Sequence, residues 1–278
     1  MPTTEREEGS GRATAAAAMS LRGMQGHKQQ HKLAENVAGT HPFRSRSASG
    51  RPLISIVIPT LNEEGNIRDM LDGVSKALQR EGRRYELIVV DGHSTDRTVE
   101  IAQESNAKVI YENVGKGNAL AIGLKAAKGD VIISMDADLS HIPEELNLLI
   151  AGIEAGYDVC MGSRFASGGG SDDMPRFRRL GNSIFVHLVN MLYGSHYSDM
   201  CYGYRSFSRR AVSSMRLEEK GFGVETEINI LAKKANLSVI EVPSFEKKRA
   251  TGEAKLKSFK DGWIILRTIF WNLGKPVG

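Results

Sequence analysis

Asp136 and Asp138 stand one residue apart at the end of an apolar run, Val131-Ile132-Ile133-Ser134-Met135. A continuous Val/Ile run of this kind reads as a parallel strand covered on both faces. Carboxylates at the C-terminal end of such a strand lie where open α/β sheets place their ligands. Alternation within a strand would point the two side chains to opposite sides, but a chain that turns there lets both reach one site. Their hard oxygens suit Mg²⁺ or Mn²⁺, held by one or two carboxylates together with the phosphates of a substrate. The competing reading is a pair of solvated turn aspartates. Position after a buried strand favours a metal-diphosphate site.

Two further strand ends carry polar groups at the same edge. The first reads Ile58-Pro59-Thr60-Leu61-Asn62-Glu63-Glu64. Thr60 or Asn62 is expected to cap the next helix, with Glu63 and Glu64 in its first turn, where the helix dipole favours anions. A nucleoside lying across the sheet edge would also account for a proline ending the strand beside these polar groups. The second reads Val90-Asp91-Gly92-His93-Ser94-Thr95-Asp96. Ser94 and Asp96 read as caps, whereas Asp91 reads as a carboxylate for a ribose hydroxyl or a base edge. Gly115-Lys116-Gly117-Asn118 has neither Walker A nor Gly-x-Gly-x-x-Gly spacing, so neither an NTPase nor a dinucleotide enzyme is supported.

These residues need a scaffold, and the pattern after residue 52 supplies one. Strands are expected at 53–59, 85–90, 107–111, the run before Asp136, and 158–162. Helices are expected at 63–80, 94–104, 117–128 and 144–156. Strands separated by helices of this size imply a parallel sheet with right-handed crossovers. Beyond residue 170 the alternation breaks down into a helix at 176–193, a strand at 204–207, a helix at 224–235, a strand at 238–242 and a last helix at 257–273. That half is where acceptor-side residues would be supplied.

At 278 residues the chain has room for one α/β domain with a proper core. Residues 1–50 are rich in Ala, Ser, Gly, Gln and Arg with little aliphatic periodicity, and are expected to be a disordered basic leader. Their Ala-rich stretch is too short and too weakly hydrophobic for a signal peptide, and Glu5, Glu7 and Glu8 argue against a transit peptide. The formal net charge is +4, of which the leader supplies +3 and residues 244–260 another +4, so the remainder is acidic. Local basic charge near the C-terminal end suggests anionic partners rather than a nucleic-acid stripe. Cys160 and Cys201 give no disulfide framework or zinc spacing, which fits a reducing cytoplasm.

In order along the chain, Asp136-Ala137-Asp138-Leu139-Ser140-His141, Gly162-Ser163-Arg164-Phe165, Arg179-Leu180-Gly181-Asn182, Asp199 with Gly203-Tyr204-Arg205, and Pro243, Arg249, Gly252 and Lys255 resemble the family 2 nucleotide-diphospho-sugar glycosyltransferases. Within that family the likeness is greatest to dolichol- or polyprenol-phosphate mannosyl- and glucosyltransferases, and it covers roughly residues 53–270. One departure is Gly92, which stands where many members carry a second Asp. The resemblance implies an α/β GT-A fold over 51–278, a Rossmann-like, mostly parallel sheet flanked by helices. It implies an inverting transfer of a hexose from a GDP- or UDP-sugar to a polyprenyl phosphate, or alternatively to a soluble hydroxyl or phosphate acceptor.

In that reading Asp136 and Asp138 hold Mg²⁺ or Mn²⁺, with Ser140 or His141 near it through water. The donor meets Pro59, Thr60, Asn62, Glu64, Asp91, Lys116, Asp136 and Ala137. The acceptor meets Arg164, Arg178, Arg179, Ser183, Arg249 and Lys255. Asp138, Arg164, Asp199 and Glu225 form the catalytic set. A phosphate acceptor is already anionic and needs arginines rather than a base. A hydroxyl acceptor needs a carboxylate, for which Asp199, Glu225 and Glu227 stand ready.

Each of these has a plainer explanation. Arg164 is solvated at a strand end, and Asp199 pairs with Arg205. Glu225 and Glu227 serve a helix start. At least one of Arg176, Arg178 and Arg179 is only the wet face of a helix whose apolar positions include Leu180, Ile184, Leu188 and Leu192. The last helix is interrupted by Arg267 and falls below the ~20 apolar residues needed to span a bilayer. It is expected to pack against the sheet, with peripheral docking on the inner face of the membrane as the second choice.

Overall fold

The computed structural model describes residues 51–249 and 258–275; the expected leader and Lys255 lie outside them. Nine strands occur among the described residues. They are β1 (Leu53–Thr60), β2 (Arg84–Asp91), β3 (Lys108–Tyr111), β4 (Val131–Ser134), β5 (Val159–Ser163), β6 (Gly170–Ser171), β7 (Arg205–Ser208), β8 (Val239–Pro243) and β9 (Phe245–Glu246). The helices are α1 (Ile67–Arg80), α2 (Thr98–Glu104), α3 (Lys116–Ala126), α4 (Leu146–Glu154), α5 (Arg176–Tyr193), α6 (Arg209–Ser214), α7 (Val224–Lys234) and α8 (Ser258–Trp271).

Seven strands form one sheet in the order β3-β2-β1-β4-β7-β5-β8. β1, β2, β3 and β4 run parallel, as do β5 and β8. β7 enters between β4 and β5 antiparallel to both. β6 and β9 make a separate two-stranded ribbon. Strand periodicity separates the two faces. Ile54, Ile56 and Ile58 of β1 pack with Ile67, Met70, Leu71 and Val74 of α1 and Leu149 and Ile150 of α4. Val57 on the opposite face packs with Leu120 and Leu124 of α3, in one cluster with Ile228 of α7 and Ile265 and Ile269 of α8. Gly123 lets α3 lie close to the sheet, because a Cβ there would fall 2.2 Å from Val57 Cγ1.

Several expectations are corrected. α1 and α2 begin about a turn late because the loops before them are laced together. Asn62, Glu63 and Glu64 donate their backbone N–H groups to Ser94 Oγ, Thr98 Oγ1 and Asp96 Oδ2 at 2.8, 2.8 and 3.1 Å. Asn62 Oδ1 and Glu64 Oε2 accept in return from the N–H groups of Thr95 and Arg97. Thr60 and Asn62 therefore do not cap α1; Asp96 does take the Thr98 N–H at the start of α2. Leu180 and Ile184 of α5 are exposed, and the face turned inward carries Asn182, Phe185 and Val189. α8 packs against α5 and α7 rather than on the sheet.

Candidate functional site

The carboxyl edges of β1 and β4, the N-terminus of α3 and the inner faces of α5 and α8 enclose a cavity of about 670 Å³. Pro59, Thr60, Lys116, Asp136, Ala137, Asp138, Arg164, Arg178, Glu225 and Arg249 all line it. The chain turns sharply after Asp138, where Leu139 adopts φ +63°. That conformation costs a non-glycine residue about 1–2 kcal/mol. It folds Ser140 back, so that its N–H and hydroxyl meet Asp138 Oδ1 at 3.1 and 2.6 Å.

Each carboxylate of the pair faces a cation. Lys116 Nζ lies 2.9 Å from Asp136 Oδ1 and 2.9 Å from Glu225 Oε1. Arg249 Nη2 lies 2.8 Å from Asp138 Oδ2. Burial opposes the charge on Lys116, but Asp136 and Glu225 outweigh it and hold the ammonium well above the usual lysine range. Burial likewise opposes ionisation of Asp136, and the charge and hydrogen bond of Lys116 outweigh this and bring its pKa down to about 2. His141 is buried and stacked on Tyr204, its ring 4.6 Å away and nearly parallel. Its Nδ1 accepts the Asp136 N–H at 3.1 Å. Burial, working against Asp136 and Asp138, lowers its pKa and keeps it neutral at neutral pH.

The backbone around Lys116 is fixed from outside the sheet. Glu112 accepts the N–H groups of Val114 and Gly115 and the Asn118 amide. Gly117 donates its N–H to Lys220 O at 2.9 Å. The neighbouring loop approaches so closely that a Cβ on Gly117 would lie 2.1 Å from Glu219 O. Beneath the site the buried Arg205 donates to Tyr202 O, Glu225 O and Asn229 Oδ1, which sets the start of α7 and with it Glu225. Arg205 forms no bond with Asp199 among those described; Asp199 belongs to Arg164.

Six nominated residues among those described stand off the cavity lining. Asp91 is fully buried and accepts from the Ser94 N–H at 2.8 Å, the Ser94 hydroxyl at 2.5 Å and Thr60 Oγ1 at 3.5 Å, so it shapes the turn that places Gly92 on the cavity. Asn62 and Glu64 are exposed and engaged in the laced loops. Asp199 lies behind Arg164, whose remaining terminal nitrogen meets both oxygens of Glu246 at 3.1 Å. The arginine expected to face an acceptor phosphate is therefore held by two carboxylates. Arg179 and Ser183 lie on the exposed side of α5, with Arg179 over the Phe165 ring.

Glu112 and Glu246 had no signal in the sequence beyond being acids near strand ends. Phe222, whose ring lies 5.7 Å from Lys116 Nζ, had none.

The donor set suits a hard divalent cation. Asp136 and Asp138 both face the cavity, and the described residues hold no cluster of three His, Cys, Asp or Glu that would saturate an ion. Two carboxylates leave positions for water and phosphate oxygens, as Mg²⁺ prefers.

A family model described as glycosyl transferase family 2 matches residues 55–216. The chain is 38% identical over 225 residues to the dolichol-phosphate mannosyltransferase of Pyrococcus furiosus, covering 78% of this chain and 62% of that protein. It is 37% identical over 238 residues to the low-salt glycan biosynthesis hexosyltransferase Agl6 of Haloferax volcanii, covering 84% and 57%. The chain thus spans less than two thirds of the length of either relative. Among solved structures, glucosyl-3-phosphoglycerate synthase of Mycobacterium tuberculosis with Mn²⁺, UDP and phosphoglyceric acid matches with a TM-score of 0.65 at 25% identity, covering 81% and 80%. The mostly parallel sheet, the carboxylate pair at its edge and a match over more than half the chain agree: the fold is GT-A, and the chain belongs to glycosyl transferase family 2.

Proposed function

We propose that the chain transfers a hexose from a nucleotide-diphosphate sugar of the GDP-mannose or UDP-glucose type to a polyprenyl phosphate, with inversion at C1. The observation that carries this reading is the cavity in which Asp136, Asp138, Lys116 and Arg249 converge beside an apolar wall of Phe177, Phe185 and Ile265. Mg²⁺ or Mn²⁺ bound by Asp136 and Asp138 would offset the charge that develops on the departing diphosphate. Lys116 and Arg249 add positive charge at the same place. Pro59, Thr60 and Gly92 form the edge on which the nucleoside rests.

Arg178 is the arginine of α5 that reaches the cavity and is suited to the acceptor phosphate. An acceptor phosphate is anionic at neutral pH and requires no base. That fits a site in which Asp199 holds Arg164 and Glu225 holds Lys116. α5 and α8, which both contribute residues to the cavity lining, also expose Phe177, Leu180, Ile184, Met191, Trp263, Phe270 and Trp271. Arg176, Arg179, Lys260 and Arg267 flank them on the surface. No described helix is long and apolar enough to cross a membrane. In this reading the chain works in the cytoplasm, with these two helices resting on the anionic inner face of the membrane.

The same chemistry on a small phosphate-bearing acceptor is the second reading, supported by the likeness to the synthase solved with phosphoglyceric acid. Transfer of radiolabelled hexose from GDP- and UDP-sugars with Mn²⁺ separates them. Label entering a polyprenyl phosphate in detergent supports the first reading. Label entering only water-soluble phosphates or sugars would replace it with the second.

A further inference from the structure

Lys116 and Arg249 sit where a cation bound to Asp136 and Asp138 would have to compete with them. We infer that they act as exchangeable counter-ions, neutralising the two carboxylates until a nucleotide diphosphate arrives and then moving to its phosphates. The inference rests on the proposed metal-diphosphate role of this cavity and goes beyond it in coupling the binding of metal and nucleotide through two named side chains.

The geometry supports exchange in three ways. Lys116 has two partners at equal distance, 2.9 Å each, so it can release Asp136 and remain tethered to Glu225. Its backbone is clamped by the Gly117 bond to Lys220 O, which confines the movement to a long, flexible side chain. Asp138 is bound to Ser140 through Oδ1 and to Arg249 through Oδ2, so losing Arg249 frees one oxygen without undoing the turn.

Charge sets the coupling. Three carboxylates and two cations leave the cluster with a single negative charge. A divalent ion entering alone would lie a few ångströms from an ammonium and a guanidinium that had lost one carboxylate each. Repulsion of that kind is strong away from bulk water. A diphosphate entering with the ion offers new oxygens to both. Metal and nucleotide should therefore tighten each other's binding, by the same factor in both directions.

The test is Mn²⁺ binding by the full chain, read from loss of the free-ion paramagnetic resonance signal, alone and with GDP or UDP. In the wild type the better nucleotide is expected to tighten Mn²⁺ by about tenfold or more, within the usual range of coupling between sites. Lys116→Met is expected to bind Mn²⁺ alone several-fold more tightly and to lose most of that coupling, while Lys116→Arg keeps it. Arg249→Gln tests the Asp138 half by the same readout, independently of whether Lys116→Met folds. Nucleotide-dependent Mn²⁺ binding in the wild type, with no tightening of Mn²⁺ alone in either neutral variant, overturns the exchange and leaves the site reading intact. Failure to bind Mn²⁺ in any mixture overturns both.

Discussion

Arg164 and Asp199 are joined by two parallel bonds, Nε to Oδ2 at 2.7 Å and Nη2 to Oδ1 at 2.9 Å, with the side chains only 7% and 1% exposed. A bidentate pair of this kind fixes orientation as well as charge. We propose that Asp199 is the support that aims Arg164 and not a base, since the pair occupies both of its carboxylate oxygens.

Removing one partner of a buried pair costs about 3–5 kcal/mol when the other charge is left uncompensated; Glu246 still faces Arg164, so the lower figure applies here. Asp199→Ala should therefore lower Tm by roughly 6–12 °C for a domain of this size. Thermal unfolding checks it. A normal Tm with turnover abolished would instead mark Asp199 as a group acting on substrate.

Asp138→Asn keeps an acceptor for Ser140 but removes the charge that a cation needs. Metal assistance is worth several kcal/mol in such reactions, so turnover with Mn²⁺ should fall by about 10²–10³-fold with circular dichroism unchanged. Turnover at the wild-type level would dismiss the carboxylate pair as the metal site.

Gly117→Ala would place a Cβ 2.1 Å from the Glu219 carbonyl, and backbone cannot yield as a side-chain tip can. The loop must shift and carry Lys116 off Asp136. Displacements on the order of 1 Å at a reacting centre can cost about 10²-fold in rate. Gly274→Ala, with nothing within 4 Å of its Cβ, is the control. Equal kcat values for the two variants would show that Lys116 needs no such placement.

The sheet and the Asp136/Asp138 edge were legible because a buried strand has a composition of its own and its C-terminal end has a fixed meaning in α/β folds. Periodicity also located α5 to the residue. Of the apolar positions it named, Leu188 and Leu192 pack on the core while Leu180 and Ile184 are exposed, because α5 is apolar on more than one side and sequence does not say which one meets a neighbour. The mutual lacing of Asn62, Glu64, Ser94 and Asp96 was invisible for a related reason. Each residue is a plausible cap by itself, and only the parallel pairing of β1 with β2 brings the two loops together. The pairing of Arg164 with Asp199 and Glu246 was not legible, because those partners lie 35 and 82 residues away. Charge pairing across such separations is set by topology and not by local pattern.

His141 supplies a pH dependence whose sign follows from burial. Its pKa in the folded chain lies below the ordinary value of 6.5, chiefly because burial disfavours the imidazolium. The unfolded chain therefore takes up the proton first as pH falls, and stability rises with pH wherever the unfolded state holds more protons. The contribution is fully present above about pH 6.5 and is lost as pH falls towards the lower, folded value. Protonation at Nδ1 would also break its bond to the Asp136 N–H. Tm should drop between pH 7 and pH 5, and His141→Gln, which keeps an acceptor but cannot titrate, should flatten that drop. An equal drop in the variant would assign the effect to other groups.

The exposed face of α5 and α8 makes the last prediction. Trp263 and Trp271 are 71% and 66% exposed, and Phe177, Leu180 and Ile184 extend the apolar surface along the neighbouring helix. Burying one large side chain contributes about 1.5–3 kcal/mol, which is roughly tenfold or more in partitioning. Trp263→Asp should therefore reduce co-sedimentation with anionic phospholipid vesicles by at least that factor, and a Trp emission shift on vesicle addition should weaken with it. Neutral vesicles should bind less because Arg176, Arg179, Lys260 and Arg267 flank the face. Trp263 is exposed and is not among the residues lining the cavity, so transfer to a short, water-soluble prenyl phosphate should persist in the variant. If Trp263→Asp leaves vesicle binding unchanged but converts a dimer to a monomer in light scattering, a second copy of the chain covers this face instead of lipid.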